Sequence, residues 1–230
     1  MIHHGAMEQE IEGRDNGAPI SVTPALSTGK FRLNQSPIGQ ILCDAQGAKS
    51  AGGSYVHTLA GIVQEIVTAY GDPATRLALG EIDAANFSAF DAAHPQTLGL
   101  PLRDKTNVLD ACNQLAASLQ ASLFFSRAGL LRLWRPPTTP GTSVRIFTPG
   151  DMEAGSFQVV EIIPATPAVT IGYGRNWSPQ STGLAGGLPE SALAEFKNEW
   201  REYSVSDAAA VALRRYTTKP TRQDTLLVNE

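Results

Sequence analysis

Between Asp104 and Pro136 the spacing of hydrophobic positions changes period once, and that change marks the most legible unit of the chain. In DKTNVLDACNQLAASLQA, Val108, Cys112, Leu115 and Leu119 recur at helical spacing with Leu109 and Ala116 beside them, which predicts a helix with one buried face. Asn107 stands where a cap side chain accepts the N–H of Asp110, and the Asp110 carboxylate suits the positive end of the helix dipole. After Ala121 the run SLFFSRAGLLRLWRP alternates with period two. It predicts a hairpin with Leu131 and Leu133 on one face of its second strand and Arg132 and Trp134 on the other. Arg127, Ala128 and Gly129 form the loop, where glycine can take positive φ, and Pro136 and Pro137 stop the pairing.

The same reading applies along the rest of the chain. Ile20 and Val22, then Phe31 and Leu33, then Ile41, Cys43 and Ala45 form short alternating runs bounded by Pro or Gly and predict antiparallel strands. Gly47 to Gly53 is a small-residue loop. It leads into SYVHTLAGIVQEIVTAYGDP, where Leu59, Ile62, Val63, Ile66, Val67 and Tyr70 line one helical face, Ser54 is placed to cap, Gly71 to end and Pro73 to block continuation. Ile82 to Ala93 reads as a shorter helix burying Ile82, Phe87 and Phe90 and ended by His94 and Pro95. Val144 to Phe147, Phe157 to Ile163 and Ala168 to Tyr173 have strand composition, and Glu190 to Tyr203 reads as a helix with Leu193, Phe196 and Trp200 on one face, followed by Asp207 to Tyr216.

These elements predict an α+β fold: antiparallel strands with packed helices and a helix–hairpin unit, then a second strand-rich part with one or two helices. The expected division is an irregular N-terminal segment at 1–18, an α+β domain at 19–136, a proline-rich linker at 137–142, a strand-rich subdomain with C-terminal helices at 143–216, and a tail at 217–230. Leu226, Leu227 and Val228 form an apolar cluster in that tail and call for a partner, which suggests docking on a neighbouring chain or continuation into a longer polypeptide.

Composition adds limits. The chain has 230 residues and is 42% hydrophobic but only 17% charged, a balance that supports a buried core and hints at additional contact surface. Its 18 basic residues are dispersed among 22 acidic ones, for a net charge of −4, which leaves no electrostatic footprint for nucleic acid. No apolar run reaches the roughly 18 to 20 residues of a membrane span, and Met1 to Glu10 lacks the apolar stretch of a secretory signal.

Candidate chemistry is sparse. His3 and His4 are adjacent but lack further ligands at metal-binding spacing, and His57 near a helix start reads as a surface residue. Glu81, Asp83 and Asp91 suggest acid–base work, but their positions match helix-start charges facing water. Gly172 and Gly174 in IGYGRNW resemble a nucleotide-binding loop until Trp177 occupies the third glycine position. Trp177 could stack on a sugar, although a tryptophan at a strand end more commonly packs inward. Cys43 and Cys112 read as small buried hydrophobes. No catalytic, cofactor-binding or metal-ligating residue is assigned, and no cofactor is expected.

The stretches FRLNQSPIGQILCDAQG (Phe31 to Gly47), YVHTLAGIVQEIVTAYG (Tyr55 to Gly71), NVLDACNQLAASLQASLFFSRAGLLRL (Asn107 to Leu133) and VTIGYGRNWSPQ (Val169 to Gln180) resemble, in pattern and order, the tail-tip or baseplate hub proteins of tailed bacteriophages and prophages, especially those of siphophage-type tails. The resemblance implies a non-enzymatic virion component in the tail, assembled in the bacterial host cytoplasm, with tube, tape-measure and distal tail or fibre subunits as partners. It further implies a homotrimer in the full-length context and that this chain is a fragment of such a hub. A different class, a module that binds envelope glycans or degrades peptidoglycan, is the alternative.

Overall fold

The computed structural model describes residues 5–102, 104–137, 142, 146–153, 166–214 and 220–229. Strand β1 (Met7–Asp15) turns at Asn16 and Gly17 into β2 (Ala18–Ile20), β3 (Val22–Ala25) and β4 (Lys30–Leu33) make a separate hairpin, and β5 (Ile41–Ala48) returns to the free edge of β1. The resulting sheet has the antiparallel order β2-β1-β5. Its central strand corrects the expectation of an irregular N-terminal segment. MEQEIEGRD looks unstructured because its side chains are mostly polar, yet Met7 is fully buried, and Asn16 (φ 49°) and Gly17 (φ 84°) supply the two left-handed residues of a tight hairpin turn. An added Cβ on Gly17 would lie about 3 Å from the side chains of Leu184, Leu188 and Phe196, so the turn also needs glycine for its packing.

The main core lies between α1 (Leu59–Ala69), α2 (Ala84–Ala93), α3 (Val108–Ser118) and the hairpin of β6 (Ser122–Phe125) and β7 (Leu131–Trp134). Leu59, Val63, Ile66, Phe87, Phe90, Cys112, Leu115, Leu119, Leu131 and Leu133 are all buried there, as helical and strand periodicity predicted. Leu115 is 0% exposed. Three details differ. Leu109 is exposed, because it sits at the start of α3 one position off the buried stripe. Asn107 caps α3 by accepting the Leu109 N–H at 2.8 Å, not that of Asp110. Ile82 is buried, but it precedes α2 and forms a parallel bridge to Leu131.

The β6–β7 register pairs Leu123 with Leu133 on the inner face and Phe124 with Arg132 on the outer. The second edge of β7 is closed by a side chain from α2. Asn86 Oδ1 accepts the Leu133 N–H at 2.7 Å while Asn86 Nδ2 donates to the Leu133 carbonyl at 3.1 Å, so one amide supplies the pair of bonds that another strand would make.

Farther along, β8 (Ala168–Tyr173), α4 (Glu190–Lys197), β9 (Arg201–Ser206), α5 (Ala208–Arg214) and β10 (Thr221–Asp224) contribute a second three-stranded sheet of order β10-β8-β9. β9 is antiparallel to β8 and β10 parallel to it. The helix expected through Tyr203 is corrected here: α4 stops at Lys197 because its last carbonyls find partners outside the helix. Asn176 Nδ2 donates to the Glu195 and Phe196 carbonyls at 3.1 Å each, and the Gln180 N–H donates to Phe196 O at 2.8 Å. Arg201 to Ser206 then pair with β8. The strand expected at Val144 to Phe147 is absent where it can be seen, since Ile146 and Phe147 are exposed and outside any strand, while 143–145 lie outside the described residues. Phe157 to Ile163 and most of the proline-rich linker, 138–141, also lie outside them.

The apolar cluster near the end has its partner within the chain. Leu226 is 4% exposed and belongs to the same core as Leu59, Leu98 and Leu115, with Leu227 packed against it. For Leu226 and Leu227 this corrects the expectation of docking on a neighbouring chain; 217–219 lie outside the described residues.

Candidate functional site

The three carboxylates singled out from sequence are bound into the framework. Glu81 Oε2 accepts the Ala78 N–H at 2.7 Å and closes a short 3-10 turn. Asp83 caps α2, its Oδ1 accepting the Asn86 N–H at 3.0 Å, and its Oδ2 lies 3.1 Å from Arg132 Nε. Asp91 is on α2 but caps α1: Oδ1 accepts the Ala60 N–H at 3.1 Å and Oδ2 accepts the Thr58 hydroxyl at 2.6 Å. Asp91 therefore does what was expected of Ser54. All three accept backbone N–H groups at the start of a turn or helix, and so hold backbone rather than face open water as the sequence suggested.

The IGYGRNW stretch is a clamp for α4 and β9. Arg175 lies 4.0 Å from the ring centre of Trp177 and 5.0 Å from that of Trp200, and its Nε donates to Glu199 Oε1 at 2.9 Å. Asn176 caps the end of α4 as described above. Trp177 is partly buried, packs against the main core and carries Arg175 over its ring, the inward packing expected of a tryptophan at a strand end. On the outer face of the β6–β7 hairpin Trp134 is 53% exposed, with Phe124 also exposed.

A third arrangement lies where the two halves of the chain meet. The segment Thr225 to Val228 runs between Thr97 to Gly99 and Gly172 to Gly174 and bonds to both. The Gly99 N–H donates to Leu226 O at 3.0 Å and the Val228 N–H to Thr97 O at 3.0 Å. On the opposite edge the Thr225 N–H and hydroxyl donate to Gly172 O at 2.9 and 2.8 Å, and the Gly174 N–H donates to Leu227 O at 2.8 Å. The Leu226 N–H finds a buried acceptor in Ser118 Oγ at 2.9 Å, across 108 residues. Asn86, Asn176 and Ser118 were all missed by sequence reasoning. Each is a polar residue inside a helical or strand-end pattern, and only tertiary placement reveals which backbone group it serves.

Titratable groups show modest perturbation. His94 is held below its ordinary value by burial and by Arg135, whose Nη1 is 3.2 Å from His94 Nδ1. His57 stacks on Tyr55 with ring centres 5.0 Å apart, and its Nδ1 is 3.4 Å from Thr97 Oγ1. Burial raises Asp44, with Arg14 acting in the opposite direction. Cys112 is buried in the core, which pushes its thiol up to about 11, whereas Cys43 is only half-buried, short of the burial expected. Among the described residues no group of three His, Cys, Asp or Glu side chains is placed to hold a metal ion, and no helix is long and apolar enough to cross a membrane. His3 and His4 lie outside the described residues.

No family model matches the chain. No curated protein matches it either.

Proposed function

We propose that the chain is a structural, non-enzymatic component of a phage or prophage tail tip or baseplate hub, one that joins the tail tube to distal receptor-binding parts. The reading rests on the resemblance of the four stretches given above. What supports its non-enzymatic side on this molecule is that Glu81, Asp83 and Asp91 each accept a backbone N–H, and Asp83 also pairs with Arg132, as framework groups do. Its partners on this reading are other tail proteins, its full-length state a homotrimer, and its location the virion tail.

The glycan-binding alternative draws on one observation, the exposed Trp134 and Phe124 on the hairpin face, since exposed aromatic rings can stack on sugars. Labelling of tailed particles from cells that encode the chain separates these readings. Gold-conjugated antibody is expected at the distal end of the tail. Particles that lack the protein altogether would sink the hub reading, and retention of the free protein on purified cell-wall glycan, lost in Trp134→Ala, would favour the alternative.

A further inference from the structure

We infer that the outer face of the β6–β7 hairpin binds a saccharide that carries a carboxylate, with Trp134 and Phe124 stacking on sugar rings and Arg132 pairing with the acid group. The inner face of this hairpin is committed to the core, where Leu131 and Leu133 are buried. Its outer face has no such role, yet it holds Phe124 at 42% exposure and Trp134 at 53%. Alternation puts both rings and Arg132 on one side: Phe124 is opposite Arg132 across the hairpin, and Trp134 lies two residues beyond Arg132 on the same strand. The diagonal from Phe124 to Trp134 then spans roughly 7–8 Å, with Arg132 adjoining both. The platform is also fixed before any ligand arrives, because Asn86 bonds the Leu133 N–H and carbonyl, and Ser126 closes the loop by donating its N–H to Leu130 O at 2.8 Å and accepting the Leu130 N–H on Oγ at 3.2 Å.

Charge selects among the ligands that stack on aromatic rings. From Ala111 to Gly150 the sequence contains four arginines and no Asp or Glu, although the whole chain carries a net charge of −4. The hairpin is thus a cationic part of an acidic molecule, which favours an anion there over a neutral sugar. A chain of phosphates fits less well. Arg135 is engaged by His94 at 3.2 Å and Arg127 lies in the loop, so the face carries one guanidinium and, among the described residues, no track of cations to follow a phosphate backbone. Arg132 is placed for a single acid group. Its Nε lies 3.1 Å from Asp83 Oδ2, its side chain is 42% exposed, and among the described residues Asp83 is its one charged partner. Asp83 therefore holds the guanidinium through Nε and leaves the two terminal nitrogens, a planar fork that suits a carboxylate, to a ligand. The inference rests on the glycan-binding reading, which it sharpens by naming the ligand's charge, and is independent of the tail-hub reading.

Titration of the full chain with tetragalacturonate, a uronic acid oligosaccharide, and with cellotetraose, a neutral one of the same length, tests it by calorimetry and tryptophan emission. Tetragalacturonate is expected to bind roughly tenfold or more tighter than cellotetraose, the scale of a charge-assisted bond set against a neutral one, and to weaken as salt is raised. Trp134→Ala should remove the emission change and weaken binding while the melting temperature stays near the parent's, and Phe124→Ala should weaken binding in the same way. Arg132→Gln should bring the affinity for tetragalacturonate down to that for cellotetraose and leave the latter unchanged, a split that general damage to the hairpin would not produce. Equal affinity of the parent for the two sugars overturns the inference and leaves glycan binding standing, whereas binding of neither overturns both. Binding of tetragalacturonate that survives Trp134→Ala also overturns it. So does tighter binding of oligothymidylate or poly(glycerol phosphate), which would give the face to phosphate ligands.

Discussion

The Asp91 carboxylate and the Thr58 hydroxyl are 2.6 Å apart although 33 residues separate them, so the first turn of α1 is capped by a side chain from α2. Because the same carboxylate also accepts the Ala60 N–H, the bond fixes the approach of two helices as well as the start of one. Asp91→Ala is expected to cost about 1–2 kcal/mol, the upper part of the range for a lost cap, since the acceptor is charged and partly buried. Thermal melts give the loss, and amide exchange should show it concentrated at Leu59 to Ile62. A variant that melts with the parent would remove the cap from the account of how α1 is placed.

The centre of α3 carries a larger share of the stability. Leu115→Ala leaves a void at a position without solvent access and should cost roughly 2–5 kcal/mol. Leu115→Asp puts an unpaired carboxylate in the same place and is expected to abolish cooperative folding, given total stabilities of ~5–15 kcal/mol for single domains. Circular dichroism melts of both variants check the order of effects, and a cooperative transition in Leu115→Asp near the parent temperature would contradict the packing described for α3.

This core was the part of the fold most readable from sequence, and the reason is physical. α3 and the β6–β7 hairpin bury one face each, so their apolar residues recur at 3.6 and then at 2. β1 escaped because a strand with polar faces has no such rhythm, although Asn16-Gly17 was a usable turn signal. α4 was read too long because Trp200 continues the helical spacing of Leu193 and Phe196. The true stop depends on Asn176 and Gln180, which reach the last turn from another part of the chain, and the alternation of Tyr203 and Val205 with serines was the local hint of β9. The slot at Thr225 to Val228 was legible only as an unsatisfied apolar cluster. Its partners Ser118, Gly99 and Gly174 are distant in sequence and carry no pattern of their own.

Asn86 closes the outer edge of β7 through both ends of its amide, and Asn86→Asp is the more telling substitution. A carboxylate can still accept the Leu133 N–H but cannot donate to the Leu133 carbonyl, which then faces an oxygen. The expected loss is about 1–3 kcal/mol, with faster exchange at Leu133 than at Phe124, whose N–H faces β7. Equal exchange increases at Leu133 and Phe124 would mean that the amide bridge does not protect the edge.

Cys112 offers a test that depends on pH. Its thiol is pushed up to about 11 from an ordinary value of 9.0 by burial, so the folded state holds the proton more tightly than the unfolded state. The sign follows from that: the thiol's contribution is complete below pH 9 and is lost as pH rises through about 11. Parent and Cys112→Ala melts compared across this window should converge as alkalinity increases. At neutral pH the folded protein should leave Cys112 unreacted toward a thiol reagent until denaturant opens the core, and rapid labelling without denaturant would refute its placement.

The carboxylates of the α2 region separate framework from chemistry. In Glu81→Gln the side-chain oxygen can still accept the Ala78 N–H, and in Asp83→Asn the amide oxygen can still cap Asn86. What Asp83→Asn loses is the charge opposite Arg132, a partly exposed pair whose removal should cost no more than ~1 kcal/mol. On the non-enzymatic reading both variants keep the parent's fold, and none of the three proteins releases soluble fragments from peptidoglycan above a buffer control. Fragment release by the parent that is lost in Asp83→Asn, with its melt unchanged, would assign the carboxylate a chemical role and replace the structural reading with a hydrolytic one.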